Sequence, residues 1–263
     1  MVGKLLARGM LVGLIAGLLS FGFLKIVGEP LVDRAIAFES AMDEAKAQAK
    51  IDEAKAKGID LPKEEPEPEL VSREVQGGIG LLTGVIIYSA AFGGLFALVF
   101  AFAYGRMGNF GPRAASALLA LAGLVAVYIV PNLKYPANPP SVGNPETIGM
   151  RTALYFAIIL ISLAAMIAAG SLRLRLKARF GGWNAALIAA AGYIAVMVVV
   201  SLALPGVNEV PEGFPAPVLW QFRITSLGAQ LILWAALGLG FGAWTERAAI
   251  AETNGARLKT AAV

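Results

Sequence analysis

Residues 152–179 read TALYFAIILISLAAMIAAGSLRLRLKAR. An uncharged run, 152–172, is followed at once by Arg173, Arg175, Lys177 and Arg179. An α-helix needs about 20 apolar residues to cross a bilayer's hydrocarbon core. Short loops dense in Lys and Arg stay on the cytoplasmic side. One stretch therefore supplies both a membrane span and its direction.

Working outward, five more runs lack charge: 9–24, 75–105, 114–133, 180–208 and 224–245. The first is short, but Ile26, Val27 and Gly28 extend it while Lys25 snorkels to the interface. The expected fold is all-α, a polytopic membrane bundle of six transmembrane helices near 8–28, 78–104, 114–133, 152–172, 183–204 and 224–245. These form a single membrane domain across residues 1–263.

The signs of the connections orient it. Lys4, Arg8, Arg106, Arg113, the 173–179 cluster, Arg247, Arg257 and Lys259 all fall on one side of this scheme. The two short connections opposite, with their flanks, hold only Lys134, Arg151 and Arg223. Both termini are thus expected in the cytoplasm. The long segment 29–77 lies outside, since long segments translocate largely regardless of charge. The net charge of +4 is then a topology signal rather than a nucleic-acid-binding stripe. The first apolar segment reads as a retained helix, because the only small-x-small triplet downstream, Ala35-Ile36-Ala37, lies beyond several charges. Cysteine is absent, which excludes a disulfide framework.

Within 29–77, Pro30 suits a first helical turn, and residues 33–57 are rich in Ala, Glu, Lys and Gln. A Glu53/Lys57 pair stands at i,i+4 and Gly58 makes a stop. A short extracytoplasmic helix follows from this pattern. Next, Pro62, Pro66 and Pro68 interleave with Lys and Glu as an extended acidic linker. Ser72 and Glu74 favour the start of the next helix.

Gly9, Gly13 and Gly17 lie four apart on one helix face, and Gly80/Gly84 and Gly238/Gly242 repeat the spacing. Such faces admit close helix packing, within one bundle or as a dimer seam, and packing within the bundle is the more economical reading. The stretches 130–140 and 204–215 are loosely alike, each Pro-punctuated with an Asn and a charge, as in a parallel repeat.

Histidine is also absent, which removes imidazole as base or ligand; with no thiol either, the usual zinc sites and hydrolase triads cannot form from this chain. No complete phosphate-binding loop is present. Enzymatic activity is not expected, and no cofactor is expected to be bound permanently. Apart from tyrosine, no ionisable acid or base lies inside the predicted hydrocarbon region, so a carboxylate relay at mid-membrane is missing. Gln230, Thr83, Ser89, Ser162, Ser201, Thr225 and Ser226 are the polar groups there, and interhelical hydrogen bonding is their ordinary use.

Candidate chemistry sits at the outer surface. Glu29 and Asp33 are i,i+4 neighbours, with Glu39 further along the same element. Lys134, Tyr135 and Asn138 come from the second outer connection, and Asn208, Glu209 and Glu212 from the third. These carboxylate and amide oxygens could assemble a metal-collecting vestibule, with Lys134 and Tyr135 tuning it. Salt bridges and helix-end compensation are the competing explanation.

The strings RGMLVGLIAGLL (8–19), GEP (28–30), DRAIAFE (33–39), LKYPANPP (133–140) and NEVPEGFP (208–215) resemble the CbtA family of predicted cobalt transporter subunits, and the similarity covers nearly all but the acidic linker. The resemblance implies an inner (cytoplasmic) membrane protein that moves cobalt for cobalamin synthesis, partnered by a small single-span membrane subunit rich in histidine. It also implies five spans, where six are read here, and histidines in the first outer loop, which this chain lacks. Oxygen ligands alone select poorly for cobalt over magnesium, so either the partner supplies imidazole or the metal differs. The reading is a divalent-cation uptake permease subunit, with membrane lipid as surroundings and no nucleic acid as partner. The alternative is a non-transporting scaffold or assembly factor.

Overall fold

A computed structural model describes residues 2–58 and 71–261, with side chains to 254. The acidic linker around Pro62, Pro66 and Pro68 lies outside the described residues. The described residues are helical with no strand. Five helices are long and apolar enough to cross a membrane: Val2–Ala56 (α1), Arg73–Ala103 (α2), Pro112–Lys134 (α3), Pro145–Ala203, and Ala216–Asn254 (α6), the last continuing to Ala261.

The fourth of these is two arms. Gly181 takes φ 76° and ψ 168°, outside helical geometry and in a left-handed region that favours glycine. The arms 148–180 (α4) and 182–203 (α5) fold back on each other, because Ser162 Oγ and Tyr193 OH lie 2.8 Å apart. In an unbroken helix, residues this far apart in sequence would be separated by about 46 Å.

The chain between the first span and the outer segment differs from the sequence reading. A separate short helix was expected after Pro30, yet Val2–Ala56 is one continuous helix. Pro30 is accommodated by a widened, π-type turn over Leu24–Gly28, where the Glu29 N–H reaches back to the Leu24 carbonyl. This relieves the clash that proline imposes on the preceding turn. The same device recurs at Pro131, where the turn Leu124–Ile129 precedes it and the Val130 N–H bonds the Val125 carbonyl. The helix ends at Ala56, followed by Gly58 at φ 68°. The next begins with Ser72 Oγ accepting from the Val75 N–H at 3.4 Å.

The main core joins α1, α2, α3 and α6, with Phe100, Leu237 and Phe241 nearly inaccessible. Phe241 meets Phe96 and Phe100 edge-on, ring centroids 5.6 and 5.1 Å apart. In a membrane such contacts act through dispersion and fit, since lipid tails are as apolar as the side chains.

Antiparallel α1 and α2 pack through small residues: Gly9 opposes Gly93 and Ala97, Gly13 opposes Ser89 and Ala90, and Gly17 opposes Val85 and Ile86. Gly238 and Gly242 lie against Ala120 and Ser116 of α3. Gly84 faces open space, and Gly80 faces only the carbonyl of Val75 in its own segment. The α4–α5 hairpin packs its Ile158, Tyr193 and Met197 onto Val125 and Val130 of α3.

The two ends differ in charge. At one end Lys4 pairs with Glu252 at 3.2 Å, Arg113 with Glu246 at 2.8 Å, and the Arg173 guanidinium lies over the Phe110 ring. The opposite end carries Glu29, Asp33, Glu209 and the two Pro-rich connections.

Candidate functional site

At the acidic end, α1 runs past the other helices and the connections 135–147 and 204–215 fold onto it. Ala35 of α1 is buried with Val142, Phe214 and Val218, and the Phe38 and Phe214 rings meet edge-on at 5.0 Å. Ser141 donates to the Ala35 carbonyl at 3.0 Å. The outer connections therefore converge on one helix, which sequence spacing could not show.

The carboxylates on that platform form two centres. In the first, one Arg73 nitrogen lies 2.7 Å from Glu29 Oε2 and 3.0 Å from Asp33 Oδ1. The Glu29 side chain is only 14% exposed and that of Asp33 61%. The i,i+4 spacing on α1 presents both carboxylates to the first turn of α2. Gly77 makes room: a Cβ there would lie 3.0 Å from Arg73 Nη1 and from Glu29 Cδ. Beside it, Gly78 leaves helical geometry and Lys25 Nζ donates to the Gly77 carbonyl at 2.8 Å. A carbonyl freed by the irregular turn thus gains a charged donor.

In the second centre, Glu209 accepts from the Thr147 hydroxyl and the Asn144 N–H, each at 2.6 Å. Arg151 Nε is 3.4 Å from Glu209 Oε2, an ion-pair distance without hydrogen-bond alignment. A second Arg151 nitrogen donates to the Asn144 carbonyl at 3.0 Å. These contacts hold the Glu209 carboxyl below the ordinary range; the Thr147 hydroxyl contributes most, then the Asn144 amide, with the Arg151 charge adding to them. Gly143, at φ 134°, admits the guanidinium: a Cβ there would lie 2.8 Å from Arg151 Cζ.

The remaining sequence candidates are placed differently. Asn138 accepts from Arg223 at 2.9 Å, and Tyr135 donates to the Pro205 carbonyl at 2.9 Å, tying the two connections together. Lys134 sits over the Tyr135 ring, 5.9 Å from its centroid, and pairs with no carboxylate among the described residues. Arg73 and Arg151 occupy the role expected of it. Glu39, Asn208 and Glu212 are exposed. Among the described residues no three acidic groups gather where they could hold one metal ion.

Sequence reasoning missed Arg73, Thr147, Arg151 and Arg223 as partners of the site. A signal was available, since Arg151 and Arg223 are basic residues on the side the topology leaves nearly free of them.

Below the platform, Tyr128 of α3 donates to Ser226 of α6 at 2.9 Å. Tyr88 of α2, Tyr155 of α4 and Gln230 of α6 are further uncharged polar side chains of the spans, and Tyr88 is half exposed. The Tyr128–Ser226 pair thus sets two neutral oxygens between α3 and α6 in an otherwise apolar bundle. They can exchange hydrogen bonds with water or a hydrated ion, and they carry no charge of their own.

No curated protein and no solved structure matches the chain. A family model described as "Probable cobalt transporter subunit (CbtA)" matches residues 2–246. With five long apolar helices marking a membrane protein and nearly the whole sequence matched, the chain belongs to the CbtA family.

Proposed function

We propose that this chain is the membrane-embedded subunit of an uptake permease for a divalent cation, cobalt by family, working with a small single-span subunit rich in histidine. The chain crosses the cell inner membrane six times, with α4 and α5 as separate crossings. Both termini lie in the cytoplasm and segment 29–77 lies outside. The basic residues gathered at one end of the bundle support this orientation.

The observation that carries the reading is Arg73 placed between Glu29 and Asp33. A dication arriving there meets two carboxylates that already share one positive charge, and it can replace the guanidinium with a doubly charged ligand partner. Arg151 stands 3.4 Å from Glu209, a looser pairing with a single carboxylate that Thr147 and Asn144 also hold. Glu29 with Asp33 at one centre and Glu209 at the other then collect ions from outside, with Glu39, Asn138, Asn208 and Glu212 as further oxygen ligands of the outer surface and Lys134 and Tyr135 tuning it. Glu29 is the least exposed of the first centre's groups, so its charge is the least screened. From there the ion passes the Tyr128 and Ser226 hydroxyls between α3 and α6. Oxygen ligands favour hard cations, so the imidazole that would select cobalt is supplied by the partner.

A non-transporting scaffold is the second reading. It is favoured by the arginine partners of these carboxylates, which neutralise the platform without any metal. Thermal unfolding in detergent with and without Co²⁺ separates the two. A binding subunit is stabilised by its ion through mass action, and the Glu29→Gln/Glu209→Gln variant loses that gain. A melting temperature indifferent to Co²⁺ favours the scaffold.

A further inference from the structure

Between α1 and α6, near the acidic end, lies an open groove of about 450 Å³. Its apolar wall is formed by Ile26, Val27 and Leu31 of α1 and Trp220 and Ile224 of α6, with Arg34 at its outer rim. The two helices touch below it, where Phe23 fills the space a Cβ on Gly228 would need, and above it, where Ala35 is buried with Val218. The π-type turn at Leu24–Gly28 falls between these contacts. Trp220 is 66% exposed and Ile26 76%, so the groove faces the surroundings of the bundle.

We propose that this groove is a binding site for a phospholipid with an anionic headgroup. The apolar wall at Ile26, Val27 and Ile224 lies level with the end of the hydrocarbon layer and takes an acyl chain. Arg34 stands two turns further out on the same helix, its backbone about 12 Å beyond Ile26, and its long side chain lines the groove by leaning back toward the helix N-terminus, which brings the guanidinium to the headgroup layer that reaches about 5–7.5 Å beyond the hydrocarbon. Trp220 occupies the interfacial level that tryptophan favours. The complementarity is specific to Arg34, because the carboxylates Glu29 and Asp33 are engaged by Arg73, while Arg34 pairs with no carboxylate among the described residues. Its charge is left for the lipid.

The test is native mass spectrometry of the full chain in detergent, offered equal amounts of phosphatidylglycerol and phosphatidylcholine with identical acyl chains. One interfacial cation confers roughly 1 kcal/mol on an anionic lipid, a preference of about fivefold for phosphatidylglycerol. R34Q should bring the ratio near unity, R34K should retain it, and R247Q at the opposite end should leave it unchanged. I224W, which fills the wall, should reduce the binding of both lipids. A ratio unaltered by R34Q, lipid binding unaltered by I224W, or displacement of the lipid by inorganic phosphate alone would each overturn the proposal.

Discussion

Two alanine substitutions of identical chemistry should change stability in opposite directions. At Gly13 an added methyl would overlap the Ser89 carbonyl oxygen and lie 3.0 Å from Ala90 Cα, both backbone atoms that cannot rotate away. Ordinary carbon contacts need about 3.5–4.0 Å, so α1 and α2 must part by up to ~1 Å. A gap of that size forfeits roughly a quarter to a half of the dispersion attraction along the seam, and overpacking in general costs about 1–3 kcal/mol. At Gly84, on the same helix as Ser89, nothing lies within 4 Å of the added methyl. There Gly→Ala removes only the backbone entropy penalty and stabilises by about 0.5–1 kcal/mol. Thermal unfolding in detergent should therefore show Gly13→Ala lowering the melting temperature by several degrees and Gly84→Ala raising it by about 1–4 °C. Equal shifts for both would refute the α1–α2 seam.

Four further outcomes follow. The Glu209 carboxyl is depressed below its ordinary value, so its contribution to stability is full above the unfolded pKa of about 4.3 and is lost as pH falls through the lower folded value. A melting-temperature profile from pH 7 to about 3 should flatten in Glu209→Gln relative to wild type. Ser162→Ala removes a buried hydroxyl pair between α4 and α5 and should destabilise by about 0.6–2 kcal/mol, measured by unfolding in mixed micelles. Tyr128→Phe, which breaks the bond to Ser226, should reduce cation flux in proteoliposomes while leaving thermal stability within about 1 kcal/mol. Because the chain lacks cysteine, Lys177→Cys and Gly206→Cys can be labelled singly; intact cells should label only the second, and labelling of Lys177→Cys from outside contradicts the orientation.

The sequence carried the helical fold clearly and the site only in part. Uncharged runs reveal spans because lipid tolerates few charges, and every long apolar helix here coincides with such a run. The return of the chain at Gly181 was legible as the basic cluster before it. What was hidden is how prolines are housed: Pro30 looked like a helix start, but a single π-type turn lets it continue one. Glycine spacing marked Gly9, Gly13 and Gly17, yet could not identify their counterparts. Those depend on antiparallel register, which places Gly93 and Ser89 opposite them, whereas Gly84 is rotated about 100° from Val85 on the same helix. In the site, Glu29, Asp33 and Glu209 were visible as outward acids. Their arginine partners were not, because those pairings cross from one helix or connection to another and leave no local spacing.

The central claim is that the outer carboxylates capture a divalent cation for uptake, and it is tested most directly by radiolabelled cobalt accumulation in a cobalt-uptake-deficient host. The chain is expressed with its small histidine-rich partner, alongside a membrane-localised Glu29→Gln/Glu209→Gln variant. Accumulation that needs both chains and disappears in the variant is the result predicted. Accumulation undiminished in the correctly inserted variant would contradict the role given to these carboxylates.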